Sequence, residues 1–457
     1  MSKHDLFSEF NPVTAKAWKQ KIQVDLKGAD YNNTLIWKSP EQIHVKPFYN
    51  SEDLKTETYS PNTKATTWNI NEHIYVNNET SANNKAQSAL KKGASAITFS
   101  INTEQCNIDL LLKDLDLAST DIYFQLGFLS SDFVMKLNEF ALKNDASFYV
   151  STDIIGHLAE SGNWYTTLQN DHANLERILD SCSNLKSSVS VNMSLYQNAG
   201  ATCVQQLAYG LAHANEYLNY FKNQANTLFT FKVAVGSNYF FEISKLRALR
   251  LLWQTLASEY QNNTNCHIVA YPTSRNKTIY DYNTNMLRST TECMSAILGG
   301  ANSISNTAYD SIFHKTNEFG SRIARNQLLI LKHESYFDKV NNPSDGSYYI
   351  ESLTQQLAEK ALQLFKDIEA NGGFLNQLKE GIIQKKIKES ALKEQDDFNT
   401  GKVVLLGTNK YPNTKDSMKD NLELYPFLKN NPRKTLIEPI LSKRLAETHE
   451  QERLKHE

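Results

Sequence analysis

From about Asn84 to Asn399, short β-branched and aromatic runs alternate with longer stretches whose apolar residues recur every three to four positions. The short runs predict strands at Ala96–Ile101, Ile122–Leu126, Ser147–Ser151, Ser188–Asn192, Leu228–Val235, His267–Tyr271 and Ser303–Asn306. Between them the longer pattern predicts helices at Asp132–Lys143, Ala173–Cys182, Val204–Lys222, Glu242–Glu259 and Ile279–Leu298. Strands that alternate with helices over this length run parallel, joined by helical crossovers. Seven such strands, with an eighth missed or degenerate, suit a (β/α)8 TIM barrel. An open doubly wound sheet satisfies the same periodicity and stays open as an alternative.

The flanks differ from this centre. Residues 1–60 mix charges with aromatics such as Phe7, Phe10, Trp18, Tyr31 and Trp37. Trp18, Ile22 and Leu26 share one face of a helix expected over Thr14–Lys27, ending at Gly28. So short a helix must dock on something, so we expect an N-terminal arm for subunit contact. The barrel is expected over residues 61–406, with late helices at Asn317–Lys332 and Tyr349–Ala370, the second closed by Gly372-Gly373. In residues 407–457, Pro412, Pro426, Pro432 and Pro439 predict an extended linker, followed by a charged, solvated or partner-facing helix.

Composition narrows the partners. The 457 residues carry 48 Lys+Arg against 50 Asp+Glu, which leaves no electrostatic case for nucleic acid or an acidic membrane. No apolar run approaches the roughly 18 residues of a membrane helix, and Met1–Asp5 has no apolar leader, so a cytoplasmic chain is expected. The five cysteines form no C-x-x-C pair and are expected to be reduced and buried.

Motifs for chemistry are mostly missing. There is no G-x-G-x-x-G, P-loop, G-x-S-x-G or H-E-x-x-H, and the eleven histidines hold no pair at metal-ligand spacing. Gly299-Gly300 reads as a helix end, and Asp114/Asp116 and Asp396/Asp397 as solvated pairs. Arg247 and Arg250 read as surface residues pairing with neighbours such as Glu242. No nucleophile–base pair supports a hydrolase, and no metal site is expected.

Longer strings are more specific. Phe231–Trp253 reads FKVAVGSNYFFEISKLRALRLLW, Glu318–Asn326 reads EFGSRIARN, Asn342–Glu351 reads NPSDGSYYIE and Gly407–Asn413 reads GTNKYPN. Together, in order, they resemble the methylmalonyl-CoA mutase family. The opening AWKQKIQVDLKGADY, Ala17–Tyr31, is similar to the small, non-catalytic (beta) subunit of its heterodimeric bacterial members. The resemblance implies a subunit of an isomerase that interconverts methylmalonyl-CoA and succinyl-CoA by an adenosylcobalamin radical rearrangement. It further implies an acyl-CoA threaded along the barrel axis and cobalamin on a separate C-terminal domain.

Against that family the chain departs from a working catalytic subunit. The cobalamin motif D-x-H-x-x-G is absent, since Asp171-His172 continues A-N-L-E, and the chain is expected to end where a cobalamin-binding Rossmann-like domain would begin. Catalytic members carry SGYHMQEAGA after the fourth strand. Here Ser194–Ala201 reads SLYQNAGA, with Leu195 at the histidine position, and leucine cannot donate to a thioester carbonyl. The tyrosine-bearing R-G-x-Y-x-x-M-Y stretch has no counterpart between Ser60 and Asn84, and a seventh-strand histidine appears as Ser305. The resemblance therefore implies no catalytic residue and a vestigial pocket at Leu195, Tyr196, Gln197 and Ser305. It implies adenosylcobalamin held by a larger catalytic subunit, the heterodimer partner, with none on this chain. Phe99, Phe124, Phe148, Phe229 and Phe231 are expected to supply inward side chains that block the axis. The alternative is the substrate-binding half of a split acyl-CoA mutase that borrows cobalamin from another chain.

Overall fold

A computed structural model describes residues 9–54, 63, 65–221, 227–429 and 432–457. The expectations for Met1–Asp5, for Phe7, for residues 60–62 and for the helix end at Lys222 lie outside these residues. Eight parallel strands form the centre: β1 (Asn69–Tyr75), β2 (Ala96–Ile101), β3 (Asp121–Leu126), β4 (Phe148–Val150), β5 (Val189–Asn192), β6 (Phe229–Val235), β7 (Cys266–Pro272) and β8 (Ser303–Ile304). Their order is β4-β3-β2-β1-β8-β7-β6-β5. A parallel bridge between Tyr149 and Ser187 joins the two ends. It is fastened by Val150 N donating to Ser187 O at 2.8 Å and Lys186 N to Phe148 O at 2.8 Å. The barrel is closed.

All seven expected strands form, each within a few residues of its expected bounds. The strand that periodicity missed is the first, Asn69–Tyr75, reading N-I-N-E-H-I-Y. Its outward positions hold Ile70, Ile74 and a carboxylate, Glu72, bound by Arg325 Nη1 at 2.9 Å, so an ion pair stands where an apolar residue would have revealed the strand. The shift has a consequence: SLYQNAGA follows the fifth strand rather than the fourth, and Ser305 lies just beyond the eighth rather than on the seventh.

The same alternation decides which way each side chain points. Ile97, Phe99 and Ile101 of β2, Ile122 and Phe124 of β3, and Phe148 of β4 pack into one apolar layer against the surrounding helices. Phe229 and Phe231 of β6 pack outward onto Trp253 of the helix Tyr239–Glu259, with ring centroids 4.7 and 5.2 Å apart. The phenylalanines therefore do not block the axis. They face the helices, because that buried wall is the one whose burial stabilises the fold, by about 1.5–3 kcal/mol for each large apolar side chain.

Charged groups expected on the surface are instead drawn, wholly or in part, into the fold. Arg247, 1 % exposed, joins Asp345 and Glu351, the latter at 2.7 Å, and ties the Tyr239–Glu259 helix to the Tyr348–Ala370 helix. Arg250 caps the barrel floor by donating to Cys266 O at 3.0 Å and Gly300 O at 2.6 Å. Glu242 pairs with buried Lys245 at 2.5 Å. The C-terminal helix Glu447–Lys455 is not merely solvated: buried Arg444 bonds Glu450 at 2.7 Å and the carbonyls of Pro426 and Lys277, fastening the extended tail to the barrel. All five cysteines are buried and free. The arm helix, Ala15–Asp25, buries none of its residues; Trp18 stacks on Phe48 at 3.8 Å. No helix among the described residues is long and apolar enough to cross a membrane.

Candidate functional site

The inner wall alternates with the outer one and carries small or polar side chains. Its lower part is packed solid: Ala96, Thr98, Val269, Ser190, Thr230, Ser303 and Asn71 are each at most 2 % exposed. Thr98 Oγ1 donates to Asn71 Oδ1 at 2.9 Å, and Asn71 Nδ2 to Ser303 Oγ at 3.0 Å, so β2, β1 and β8 are cross-linked from inside. Within this layer three rings cross the bore, packed against Ala96 and Val269. Tyr123 of β3 stacks on Tyr149 of β4 at 4.6 Å, and Tyr149 stacks on His267 of β7 at 4.5 Å. Tyr123 Oη and His267 Nε2 meet at 2.9 Å. Strands β3 and β7 stand on opposite sides of an eight-stranded barrel, so this contact spans the axis.

Burial fixes the protonation of the plug. It drives the His267 imidazole from 6.5 down to about 3, helped by the positive charge of Arg250, and it raises both tyrosine hydroxyls. The plug is neutral over the whole physiological range, and a neutral ring stack needs no counter-ion to fill a barrel.

The mouth above, at the C-terminal ends of the strands, is different. His73, Tyr75 and Gln125 point inward yet are solvent-exposed, which defines an open cup. Lys232 of β6 reaches across it, Nζ donating to Gln125 Oε1 at 3.0 Å and lying 5.9 Å from the Tyr271 ring. His73 Nε2 meets Ser100 Oγ at 2.8 Å; burial, then the charge of Lys232, lowers its titration to about 4. Asp153, after β4, accepts from Tyr217 Oη, Gly156 N and Asn192 N at 2.7 Å each, and pairs with His213 at 2.9 Å. Burial opposes its ionisation, but His213 and these donors outweigh it and hold the carboxyl below its usual range.

Beside the cup a cleft of about 590 Å³ runs between the loops after β5, β6 and β7, the arm loop at Pro40–Gln42 and the helix Ile382–Asn399. Gly200 (φ +101°) brings the chain against this helix; a Cβ there would lie 2.5 Å from Ala391 Cβ. The cleft has the size of a metabolite site.

The four residues expected in a vestigial pocket are not gathered into one cavity. Leu195, 4 % exposed, lies in the apolar core between barrel and helices. Tyr196 points the same way, its hydroxyl 2.9 Å from His213 Nδ1 and its ring edge-on to Phe374. Gln197 accepts from Thr273 Oγ1 at 2.6 Å and lines the cleft. Ser305 stands on the inner wall, its Oγ buried without a hydrogen-bond partner. Sequence reasoning missed Tyr123, Tyr149, His267, His73 and Lys232. The signal was present in the period of two: a lysine inside the apolar run LFTFKVAV belongs to the other face of that strand.

Comparison with known proteins gives one consistent family. The methylmalonyl-CoA mutase family model matches residues 107–455. The chain is 34% identical over 461 residues to a methylmalonyl-CoA mutase small subunit of Porphyromonas gingivalis, covering 92% of this chain and 73% of that protein. It is 27% identical to a mitochondrial methylmalonyl-CoA mutase of Bos taurus, covering 89% of this chain and 62% of that one. A methylmalonyl-CoA mutase large subunit of Streptomyces virginiae is 32% identical over 52% of this chain and 34% of its own length. Apart from the small subunit, the chain thus spans under two thirds of these relatives.

Proposed function

The chain belongs to the methylmalonyl-CoA mutase family, and from that premise we propose that it is the small, catalytically silent subunit of a heterodimeric methylmalonyl-CoA mutase in the cytoplasm. The observation that carries this reading is the ring stack across the bore. A substrate threaded down the axis would have to pass between Tyr123 and His267, whose polar atoms are 2.9 Å apart. A pantetheine arm needs a clear channel several ångströms wide, so the plugged barrel offers it no path.

Absence of a hydrogen-bonding group at Leu195 supports the same reading, since its side chain turns into the apolar core. The family uses adenosylcobalamin, which supplies the carbon radical when bound. The Asp-His pair of this chain does not fit it. Asp171 sits inside the helix Leu168–Ser181, where it accepts from Tyr165 N at 2.8 Å and Thr166 N at 3.1 Å. His172 is bonded to Leu168 O at 2.7 Å in the same helix. Both side chains are committed to local structure, and we assign the cofactor to the larger partner.

In this reading the barrel works by presenting a rigid surface to the catalytic subunit. The arm helix is the element we assign to that contact, because Phe10, Val13, Trp18 and Val24 are 46–73% exposed on it or just before it. The residue ranges 1–60, 61–406 and 407–457 then become arm, barrel and fastening tail. The experiment is co-expression with a larger cobalamin-binding mutase chain: the two should co-purify, and mutase activity with adenosylcobalamin should require the larger chain and be stabilised by this one. Activity of this chain alone, or failure of the two to associate, would reject the proposal.

A further inference from the structure

Nothing in the mutase reading uses Lys232, which rises from the middle of β6 and reaches Gln125 near the C-terminal mouth, the end where (β/α)8 enzymes hold their reacting groups. We propose that Lys232 is a carbonyl-trapping lysine, whose amine forms an imine with a small uncharged aldehyde entering the cup above the aromatic plug. The inference is independent of the chain's role toward a larger subunit.

Position comes first. The side chain rises from the inner wall of β6, held by one neutral acceptor, Gln125 Oε1 at 3.0 Å, and flanked by the Tyr271 ring at 5.9 Å. No ion pair holds it among the described residues, whereas buried Lys245 and Lys277 are paired to Glu242 and Glu292. The cup is also the right kind of vessel. It is open above, where His73, Tyr75 and Gln125 are exposed, and closed beneath, where Tyr123 and His267 are 3 and 7 % exposed. A small molecule can enter and cannot pass through.

Electrostatics favour the neutral amine, which is the nucleophile. Burial lowers the lysine's basicity; Asp153 and Glu160 oppose this without cancelling it. The other groups facing it are His73, held neutral, Tyr271 and Gln125. With the carboxylates of Glu160 and Asp153 acting on Lys232, an uncharged carbonyl compound suits the cup better than an oxo acid. The step balances: the amine nitrogen bonds the carbonyl carbon, and the carbonyl oxygen leaves as water with the two amine hydrogens. A C=N bond remains and nothing is oxidised or reduced.

The test is reductive trapping on the full chain. Propionaldehyde at low concentration and neutral pH, followed by borohydride and peptide mapping, should label Lys232 first, ahead of an exposed lysine such as Lys143. Lys232→Arg should lose that label and keep its melting temperature. If that variant misfolds, the wild-type map decides alone. Label confined to exposed lysines would overturn the proposal, and faster labelling by glyoxylate than by propionaldehyde would overturn the uncharged class of ligand.

Discussion

The two faces of the barrel wall are built from the same strands on opposite logic. The outer face buries Ile97, Phe99, Phe124, Phe148, Phe229 and Phe231 under helices, and its contribution is apolar area. The inner face closes with Asn71, Thr98, Ser190, Thr230 and Ser303, then with the Tyr123–Tyr149–His267 stack, and its closure depends on hydrogen bonds and ring contacts. Bulky hydrophobic residues in a barrel strand thus mark the helix side, while occlusion of the bore is the work of polar aromatics.

The largest effect should come from the outer face. Phe124→Ala removes a fully buried ring from the helix layer and should cost about 3–5 kcal/mol in urea unfolding; a loss under 1 kcal/mol would mean the outer layer is loose and the contrast is false. Tyr123→Phe should cost less, about 1–3 kcal/mol, because the ring stays and only the hydroxyl, which meets His267 Nε2 and Ser303, is removed. If it costs as much as Phe124→Ala, the plug carries the fold and the two faces are not distinct.

Acid sharpens the comparison further. His267 titrates at 6.5 when unfolded and about 3 when folded, so below pH 6.5 the unfolded chain binds the extra proton first. Its contribution is complete above pH 6.5 and is lost as pH falls toward about 3, at up to roughly 1.4 kcal/mol per pH unit. His73 acts in the same direction between 6.5 and about 4, weakened by solvent in the cup. Carboxylates such as Asp153, held low when folded, also lose stability in acid. The difference between wild type and His267→Gln isolates the plug: the variant should show a shallower loss over this window, and parallel curves would remove the buried imidazole from the explanation. The smallest effect belongs to the arm. Trp18→Ala should change the stability of the chain alone by only about 0.5–1.5 kcal/mol, the worth of its stack on Phe48, while weakening capture of a larger mutase chain.

The barrel was legible because its outer face obeys the period of two and its helices the period of 3.6. The first strand was not, since Glu72 occupies an outward position and only its partner Arg325, 253 residues away, explains it. Arg247 failed for the same reason: its carboxylates at Asp345 and Glu351 come from a distant helix and loop that local spacing cannot foresee. Phe99 and Phe124 were recognisable as strand residues, but their direction waited on the register of Ile97 and Ile122. The candidate site was the least legible part. Tyr123, Tyr149 and His267 come from three strands and acquire meaning only when the barrel closes.

Occlusion of the bore is most directly tested by titrating the purified chain with methylmalonyl-CoA and succinyl-CoA in a calorimeter, with the melting temperature as a second readout. The expected result is no saturable binding up to millimolar ligand and an unchanged melt. One-to-one binding at micromolar concentration, abolished by enlarging the inner wall at Thr98→Trp, would contradict it and restore an open axis.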